Sequence, residues 1–574
     1  MALTSRDHLY PIERVFTFGF WAGGLGLKPY MLGFEHFLCE MRRMSMNCLV
    51  HAPEVGKGQA AVERFQRRIT LCREYGIYAV PPSGEDPARL RRLGKRFRDE
   101  STILGWYIRD EPPPEFLPDF LKCHDALTQT APEQPVLCLF YRPDSVAEFA
   151  GYQPVLLTDC YPFGYMHDGV SLGPHFGIKD GPLALGRGLG RFNPWGRRGI
   201  LEWMDLCRTL SGDVPHWITL QTFESGDGRM VRWREPTAAE MRLQTWLAIA
   251  GGAKGINYFH YMLNADDYGN PLPSRHGEFT PLLDEIGRLG AEITPLGPLL
   301  LDADVSEPLT VLPSLRPTRD PGERIEVRRL RSKTRDADYL VVFNNDVQVS
   351  SPAQINLAKR FLAGRNVYDL LALRRVETED LPGAVTFQVT LKPGEGRMFA
   401  LAGPEDYEFM EHAILKVRCL NEVGILTIDY ELAERSGVKV KGIATYRMQD
   451  IERIEEGEYA VALSLVRQRS RRLQAVMRAN ATFSSVRENL DRIRRTLGCL
   501  PLSHPDRGRL SEAYVGLLGL FWEGEAASVR KEALDLCALV EQAEASAREE
   551  NAASLDEGAL RRIERVAERY EREE

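Results

Sequence analysis

The first 300 residues of this 574-residue chain alternate between strand and helix patterns about eight times. Short apolar runs are followed by segments in which apolar residues recur every three to four positions, the spacing of one helix face. Eight such repeats are typical of a (β/α)8 barrel, and no Gly-x-Gly-x-x-Gly follows the first strand, which disfavours a dinucleotide-binding fold. The predicted strands are Val15–Trp21, Met46–Ala52, Gly76–Pro81, Ile103–Asp110, Pro135–Tyr141, Val155–Tyr161, His216–Phe223 and Gly255–Tyr261.

The pattern changes after Leu300. Residues 305–402 alternate with a two-residue period between turn residues, which is typical of an antiparallel β-sandwich. From about Tyr407 the apolar spacing becomes helical. The sequence therefore predicts an α/β protein with a (β/α)8 TIM barrel in residues 1–303, a β-sandwich accessory domain in residues 304–404 and an α-helical C-terminal region in residues 405–574.

Several C-terminal helices carry an apolar stripe along one face. The clearest stripe consists of Val486, Leu490, Ile493 and Leu497, which follow one another at helical spacing. Such a stripe needs a partner, so the sequence predicts a helix bundle or a contact between copies of the chain. We expect a homo-oligomer that forms through the C-terminal region.

Composition excludes several classes of protein. The net charge of −8 argues against nucleic acid as the main partner, and no apolar run approaches the roughly 18–20 residues of a membrane span. The ten cysteines lack Cys-x-x-Cys spacing and are interpreted as buried thiols rather than as a zinc site or a disulfide framework. The start of the chain shows no signal peptide, so a cytoplasmic location is favoured unless a signal has been removed.

The segment Ile103–Pro114 carries the strongest indication of chemistry. An apolar strand leads directly into the adjacent carboxylates Asp110 and Glu111, and three prolines follow. In a parallel barrel the C-terminal ends of the strands carry the catalytic groups, so Glu111 is a candidate acid/base. In the alternative interpretation, Asp110 or Glu111 caps the next helix.

If Glu111 is the acid/base of a sugar-cleaving enzyme, a second carboxylate is required on the other side of the scissile bond. The seventh predicted strand leads to Glu224, and the sixth contains Asp159. Because side chains alternate along a strand, Gln221 and Glu224 cannot both point inward from a regular strand. Glu224 is therefore either a nucleophile or an ordinary loop carboxylate. In the second case Asp159 is its substitute, as the base of an inverting enzyme or as a ligand of sugar hydroxyls.

These motifs resemble those of the retaining glycoside hydrolases that share a (β/α)8 barrel. The resemblance covers residues 10–300 and rests on Asp110-Glu111-Pro112, on Trp217-x-x-x-Gln221, and on the segment Gly-Ala-Lys-Gly-Ile-Asn-Tyr-Phe that ends at Phe259. It implies an acid/base at Glu111, a nucleophile at Glu224, a carbohydrate substrate and no cofactor or metal. The predicted β domain is similar to the accessory domain that often follows such barrels, whereas residues 405–574 carry no such resemblance.

Aromatic and polar residues near the strand ends complete the predicted sugar site, because sugar faces stack on rings and hydroxyls bind polar groups. Each aromatic residue, taken alone, is more often part of the core than of a site. Two other functions stay open: a non-catalytic carbohydrate-binding scaffold, and a metal-dependent hydrolase or isomerase on the same fold. The substrate-binding candidates are Trp21, Tyr107, Asp110, Asp159, Tyr161, Gln221, Tyr258 and His260.

Overall fold

The structure is a computed structural model. It describes residues 14–22, 34–162, 164–165, 200–223, 232–233, 236–259, 281–306, 325–362, 364–440, 442, 452–500, 504–548 and 557–572.

Eight parallel strands form the N-terminal sheet, in the order β3-β2-β1-β10-β8-β6-β5-β4. Parallel bridges from Ala79 to Ile103 and from Pro82 to Tyr107 join the first and last strands of this order and close the barrel. All eight predicted barrel strands are confirmed, most with trimmed ends. In chain order the strands are β1 Thr17–Trp21, β2 Cys48–Val50, β3 Tyr78–Val80, β4 Trp106–Asp110, β5 Val136–Phe140, β6 Leu156–Cys160, β7 Gly164–Tyr165, β8 His216–Gln221, β9 Arg232–Trp233 and β10 Gly255–Phe259. The short strands β7 and β9 pair with each other outside the barrel sheet.

Helices alternate with the barrel strands, as the sequence predicts. Local signals set several of their starts: Thr237 and Glu240 form a capping box, and Asp86 accepts a hydrogen bond from the amide of Ala88. The helices are α1 Phe34–Arg43, α2 Gln59–Glu74, α3 Pro87–Phe97, α4 Leu117–Thr128, α5 Pro143–Phe149, α6 Ile200–Ser211, α7 Ala238–Ala250, α8 Pro281–Ile293 and α9 Gly297–Asp302.

Alternation along each strand divides the barrel core into two parts. One set of side chains fills the barrel interior and includes Trp21, Tyr107 and Trp217. The other set, including Trp106 and Tyr258, packs between the strands and the surrounding helices. Because successive side chains of a regular strand point to opposite sides, a shift of one residue decides whether a side chain belongs to the interior.

Two antiparallel sheets follow the barrel, which confirms the predicted antiparallel β structure. A six-stranded sheet has the order β11-β12-β13-β19-β15-β16, and a three-stranded sheet has the order β14-β18-β17. Side chains of both sheets share one hydrophobic cluster, in which the rings of Phe387 and Phe399 lie 5.0 Å apart. The strands are β11 Ala303–Val305, β12 Ile325–Ser332, β13 Asp338–Asn344, β14 Ser351–Ala358, β15 Asn366–Asp369, β16 Arg374–Arg375, β17 Glu379–Leu381, β18 Ala384–Leu391 and β19 Gly396–Ala402.

The remainder of the described chain is helical, as predicted. The stripe from Val486 to Leu497 is buried among neighbouring helices in a cluster that also contains Cys39 of α1. These apolar faces therefore have partners within one chain, and oligomerisation stays a prediction. No helix of the described residues is long and apolar enough to cross a membrane. The helices are α10 Pro404–Arg435, α11 Tyr459–Ala479, α12 Ala481–Cys499, α13 Arg507–Trp522, α14 Arg530–Arg548 and α15 Glu557–Arg572.

Helix α10 attaches the helical region to the barrel through polar contacts. Arg43 of α1 forms an ion pair with Asp429, which also accepts a hydrogen bond from Gln474 of α11 at 2.6 Å. Asn421 donates to Thr294 at 2.9 Å, next to the end of α8. The barrel and the helices after it are thus joined by buried or half-buried polar pairs, not by a linker alone.

Candidate active site at the open end of the barrel

A β-bulge shapes the end of β4. The pairing with β5 shifts between Tyr107 and Arg109, so that Ile108 is an extra residue in the ladder. In a regular strand Tyr107 and Asp110 would point to opposite sides, because they are three residues apart. With the bulge, the Tyr107 hydroxyl donates to Asp110 Oδ1 at 2.6 Å. Arg109 lies instead over the ring of Phe116, 4.5 Å from its centre.

Glu111 follows the bulge in a left-handed backbone conformation, with φ of 45°. Its amide still donates to the carbonyl of Leu139 at 3.0 Å, which fixes the residue at the rim of the barrel. A non-glycine residue in this conformation is strained, and such strain is concentrated at functional sites. The next helical turn begins at Pro114 without a side-chain cap, and α4 begins at Leu117 in the same way. The capping interpretation of Asp110 and Glu111 is therefore wrong.

The environment of Glu111 favours its protonated form. Its side chain is open to solvent on one side, yet burial by the surrounding protein and then the charge of Asp110 raise its pKa to about 7. Burial likewise raises the pKa of Asp110, and the hydrogen bond from Tyr107 opposes that rise. Glu111 therefore changes its charge near neutral pH.

Asp159 lies close to these two carboxylates, on the inward side of β6. It is 4% exposed, and Oδ1 has no hydrogen-bond partner among the described residues. Burial, followed by the charges of Glu111 and Asp110, raises its pKa well above the usual range, while a hydrogen bond from Tyr161 opposes the rise. Burial, followed by charges that include those of Glu111 and Asp159, raises the pKa of Tyr141, which lies just after β5. The ends of β4, β5 and β6 thus bring three carboxyl groups and the three phenols of Tyr107, Tyr141 and Tyr161 together.

Aromatic rings continue the site on the side of β1 and β2. The Trp21 indole packs edge to face on Tyr107, with ring centres 4.8 Å apart, and stacks on His51 at 5.5 Å. Burial lowers the pKa of His51 to about 4, so its ring is neutral at physiological pH. His51 also has a left-handed backbone, with φ of 62°. This histidine is only weakly indicated by the sequence, because a single His at a strand end is most often structural.

A second group of rings lies at the ends of β6, β8 and β10. Tyr161, Phe223 and Phe259 pack against one another with ring centres 5.0–5.7 Å apart. Phe259 also approaches Trp21 at 6.5 Å and so connects the two aromatic groups. Acidic groups therefore border one part of the opening and aromatic rings border another. Phe223 and Phe259 were not predicted as site residues, although Phe259 follows the interior position Asn257 by two residues.

One aromatic candidate, Tyr258, lies outside the opening. Tyr258 is fully buried between β10 and α7, where its hydroxyl hydrogen-bonds Thr245 Oγ1 at 2.8 Å. The prediction that Tyr258 binds substrate is wrong, because alternation directs its neighbour Phe259 inward instead. Trp106 also packs outside the strands and donates its Nε1 hydrogen to Gln134 at 3.0 Å.

Gln221 is fully buried at the end of β8. Its Nε2 donates to the carbonyl of Phe223 at 3.1 Å, and its own carbonyl accepts from Gln244 at 2.7 Å. These bonds hold the chain as it leaves the strand, and substrate binding by Gln221 stays a prediction. Glu224 and His260 lie outside the described residues. Within the described ranges no three His, Cys, Asp or Glu side chains are grouped as metal ligands would be.

No protein-family model matches the chain, and no curated protein matches it. Solved structures of similar fold include a glycoside hydrolase at 13% identity and a TM-score of 0.45, covering 68% of this chain and 94% of that chain. A glycoside hydrolase of family 5 from Bacteroides vulgatus has 14% identity, coverages of 68% and 90% and a TM-score of 0.47. A debranching enzyme from Nostoc punctiforme has 11% identity, coverages of 68% and 98% and a TM-score of 0.42. At such low identities and TM-scores the similarity carries no conclusion about this chain.

Proposed function

We propose that this protein is a glycoside hydrolase acting on an oligo- or polysaccharide, with Glu111 as its general acid/base. The observation that carries the proposal is the position of Glu111 at the end of β4, in a strained backbone and with a pKa raised to about 7. A group that gives up and regains a proton near the working pH is suited to general acid–base catalysis. The carboxyl groups and aromatic rings around it suit a sugar, which has polar edges and apolar faces.

We assign the nucleophile to Glu224 and the reaction to a retaining mechanism, in line with the resemblance of the sequence. In the first step the Glu224 carboxylate bonds to the anomeric carbon while Glu111 transfers its proton to the leaving oxygen. In the second step Glu111 takes a proton from water, whose oxygen displaces Glu224 from the anomeric carbon. This proton from water returns Glu111 to its initial protonated state.

Asp159 is less suited to the nucleophile or base role. Its buried carboxyl has a pKa raised well above the usual range, which favours the protonated, hydrogen-bond-donating form over the ionised form that a nucleophile or base needs. We therefore assign Asp159 to binding a sugar hydroxyl. The alternative is an inverting hydrolase in which substrate binding ionises Asp159 and makes it the base.

The test compares the Glu111→Gln variant with the wild type on aryl glycosides that differ only in the leaving group. We expect turnover of the poor leaving group to fall by about 10²–10⁴-fold, with a much smaller loss on the activated one, which needs little protonation. Asp119→Asn is the matched control, because Asp119 is an exposed acid on α4 paired with Lys122. Equal losses on both substrates would remove Glu111 from the acid role. Binding of glycans by a wild type that hydrolyses none would favour the scaffold function.

A further inference from the structure

We propose that Tyr107 is a positioning residue whose hydroxyl holds the Asp110 carboxylate beside Glu111 and thereby keeps Glu111 protonated. The inference rests on the proposed acid role of Glu111 and assigns a new task to Tyr107 and Asp110, which the sequence predicts as substrate ligands. Tyr107 acts through Asp110, so it need not touch the substrate.

The geometry of β4 supports this role. The hydroxyl oxygen of Tyr107 lies 2.6 Å from Asp110 Oδ1, and the Tyr107 side chain is only 2% exposed. The rings of Trp21 and His51 pack against Tyr107 at 4.8 and 4.9 Å, which restricts the rotation of the phenol. The hydrogen bond exists because the bulge at Ile108 brings Tyr107 and Asp110 to the same side of the strand.

The electrostatic effects on the pKa values of Asp110 and Glu111 have the directions that the proposal requires. A hydroxyl that donates to a carboxylate stabilises the ionised form, and the hydrogen bond from Tyr107 lowers the pKa of Asp110 against the effect of burial. Ionised Asp110 then raises the pKa of Glu111, because a second negative charge beside it is unfavourable. The pKa of Tyr107 itself is raised well above its usual value, so the phenol remains a donor throughout.

Other titratable groups face Glu111 from neighbouring strands. Asp159 lies on β6, Tyr141 follows β5, and both interact electrostatically with Glu111. Burial and then the charge of Glu111 raise the pKa of Asp159, so the ionisation of Glu111 favours the protonated form of Asp159. Arg142 is engaged with Asp144 at 2.5 Å, and the His51 ring is neutral. Among the described residues, Asp110 is thus the group whose charge raises the pKa of Glu111.

The experiment measures carboxyl titration by ¹³C NMR in the full chain, without substrate. The Glu111 signal is assigned by its loss in Glu111→Gln. In Asp110→Asn we expect the Glu111 midpoint to fall by about one pH unit, a ten-fold change in its ionisation constant. In Tyr107→Phe the midpoint of Asp110 should rise and that of Glu111 should fall by a smaller amount. Asp119→Asn should change neither midpoint.

An unchanged Glu111 midpoint in Asp110→Asn overturns the proposal, and so does an unchanged Asp110 midpoint in Tyr107→Phe. Thermal unfolding monitored by circular dichroism checks that each variant is folded. If Tyr107→Phe does not fold, Asp110→Asn still decides the question. Because the titration uses no substrate, it gives the same answer whether or not the protein cleaves glycosides. The inference and the proposed function can therefore fail separately.

Discussion

The imidazole of His51 lies parallel to the indole of Trp21, with ring centres 5.5 Å apart and 6° between their planes. The two residues come from the ends of neighbouring strands, and Tyr107 meets both rings edge on. The stack therefore fixes the phenol that contacts Asp110. It also removes much of the histidine from solvent, which lowers the pKa of the ring to about 4.

The buried histidine predicts a loss of stability in acid. The pKa of His51 is about 4 in the folded protein and about 6.5 in the unfolded chain, so between these pH values only the unfolded chain binds the extra proton. The free energy of unfolding should therefore decrease as the pH falls from about 6.5 to about 4, as measured by urea unfolding. His51→Phe keeps a ring in the stack and should lose less stability over this range. An equal loss in both proteins would show that His51 is not responsible.

The assignment of Glu224 predicts a defect that a small nucleophile repairs. Glu224→Ala should abolish hydrolysis, and azide should restore part of it by attacking the exposed anomeric carbon, giving a glycosyl azide. NMR of the first product released by the wild type should show the anomeric configuration of the substrate. An inverted product would contradict a retaining mechanism and move the base role to Asp159.

Asp159→Asn should slow the chemical step little, because the amide keeps a hydrogen-bond donor at this position. It should also change the dependence of stability on pH. Folding raises the pKa of this carboxyl, so its ionisation at high pH destabilises the folded state. The free energy of unfolding of the wild type therefore falls as the pH rises through that pKa. The melting temperature of Asp159→Asn should therefore exceed that of the wild type by a larger margin at pH 9 than at pH 5. A constant margin would contradict the raised pKa.

A comparison of Tyr258→Phe with Tyr161→Phe distinguishes a tyrosine of the core from a tyrosine at the barrel opening. Tyr258→Phe removes a buried hydrogen bond to Thr245 and should cost about 1 kcal/mol of unfolding free energy with an unchanged KM. Tyr161→Phe removes the hydrogen bond to Asp159 and should alter KM or kcat with little effect on stability. A raised KM in Tyr258→Phe would show that Tyr258 contributes to substrate binding.

Periodicity alone predicted the barrel, because each of the eight strands is an apolar run bounded by turn residues. It could not predict which side of β4 carries Asp110. The bulge residue Ile108 is apolar, like the residues that a regular strand would place there, so its sequence gives no sign of the shift in register. The error at Tyr258 has a related origin, since aromatic residues occupy both sides of β10 and the sequence does not show which side is inward.

The ion pair between Arg43 and Asp429 joins residues that are 386 positions apart in the chain. A protein truncated after the β sheets would leave the Arg43 guanidinium without this partner and expose the apolar side of α1 around Cys39. Removing one member of a buried charge pair costs more than the pair contributes, because the remaining charge is left poorly solvated. Calorimetry should accordingly record the barrel and the C-terminal helices melting in one endotherm. The helical region is in that sense continuous with the helices that surround the barrel, and not a removable appendage.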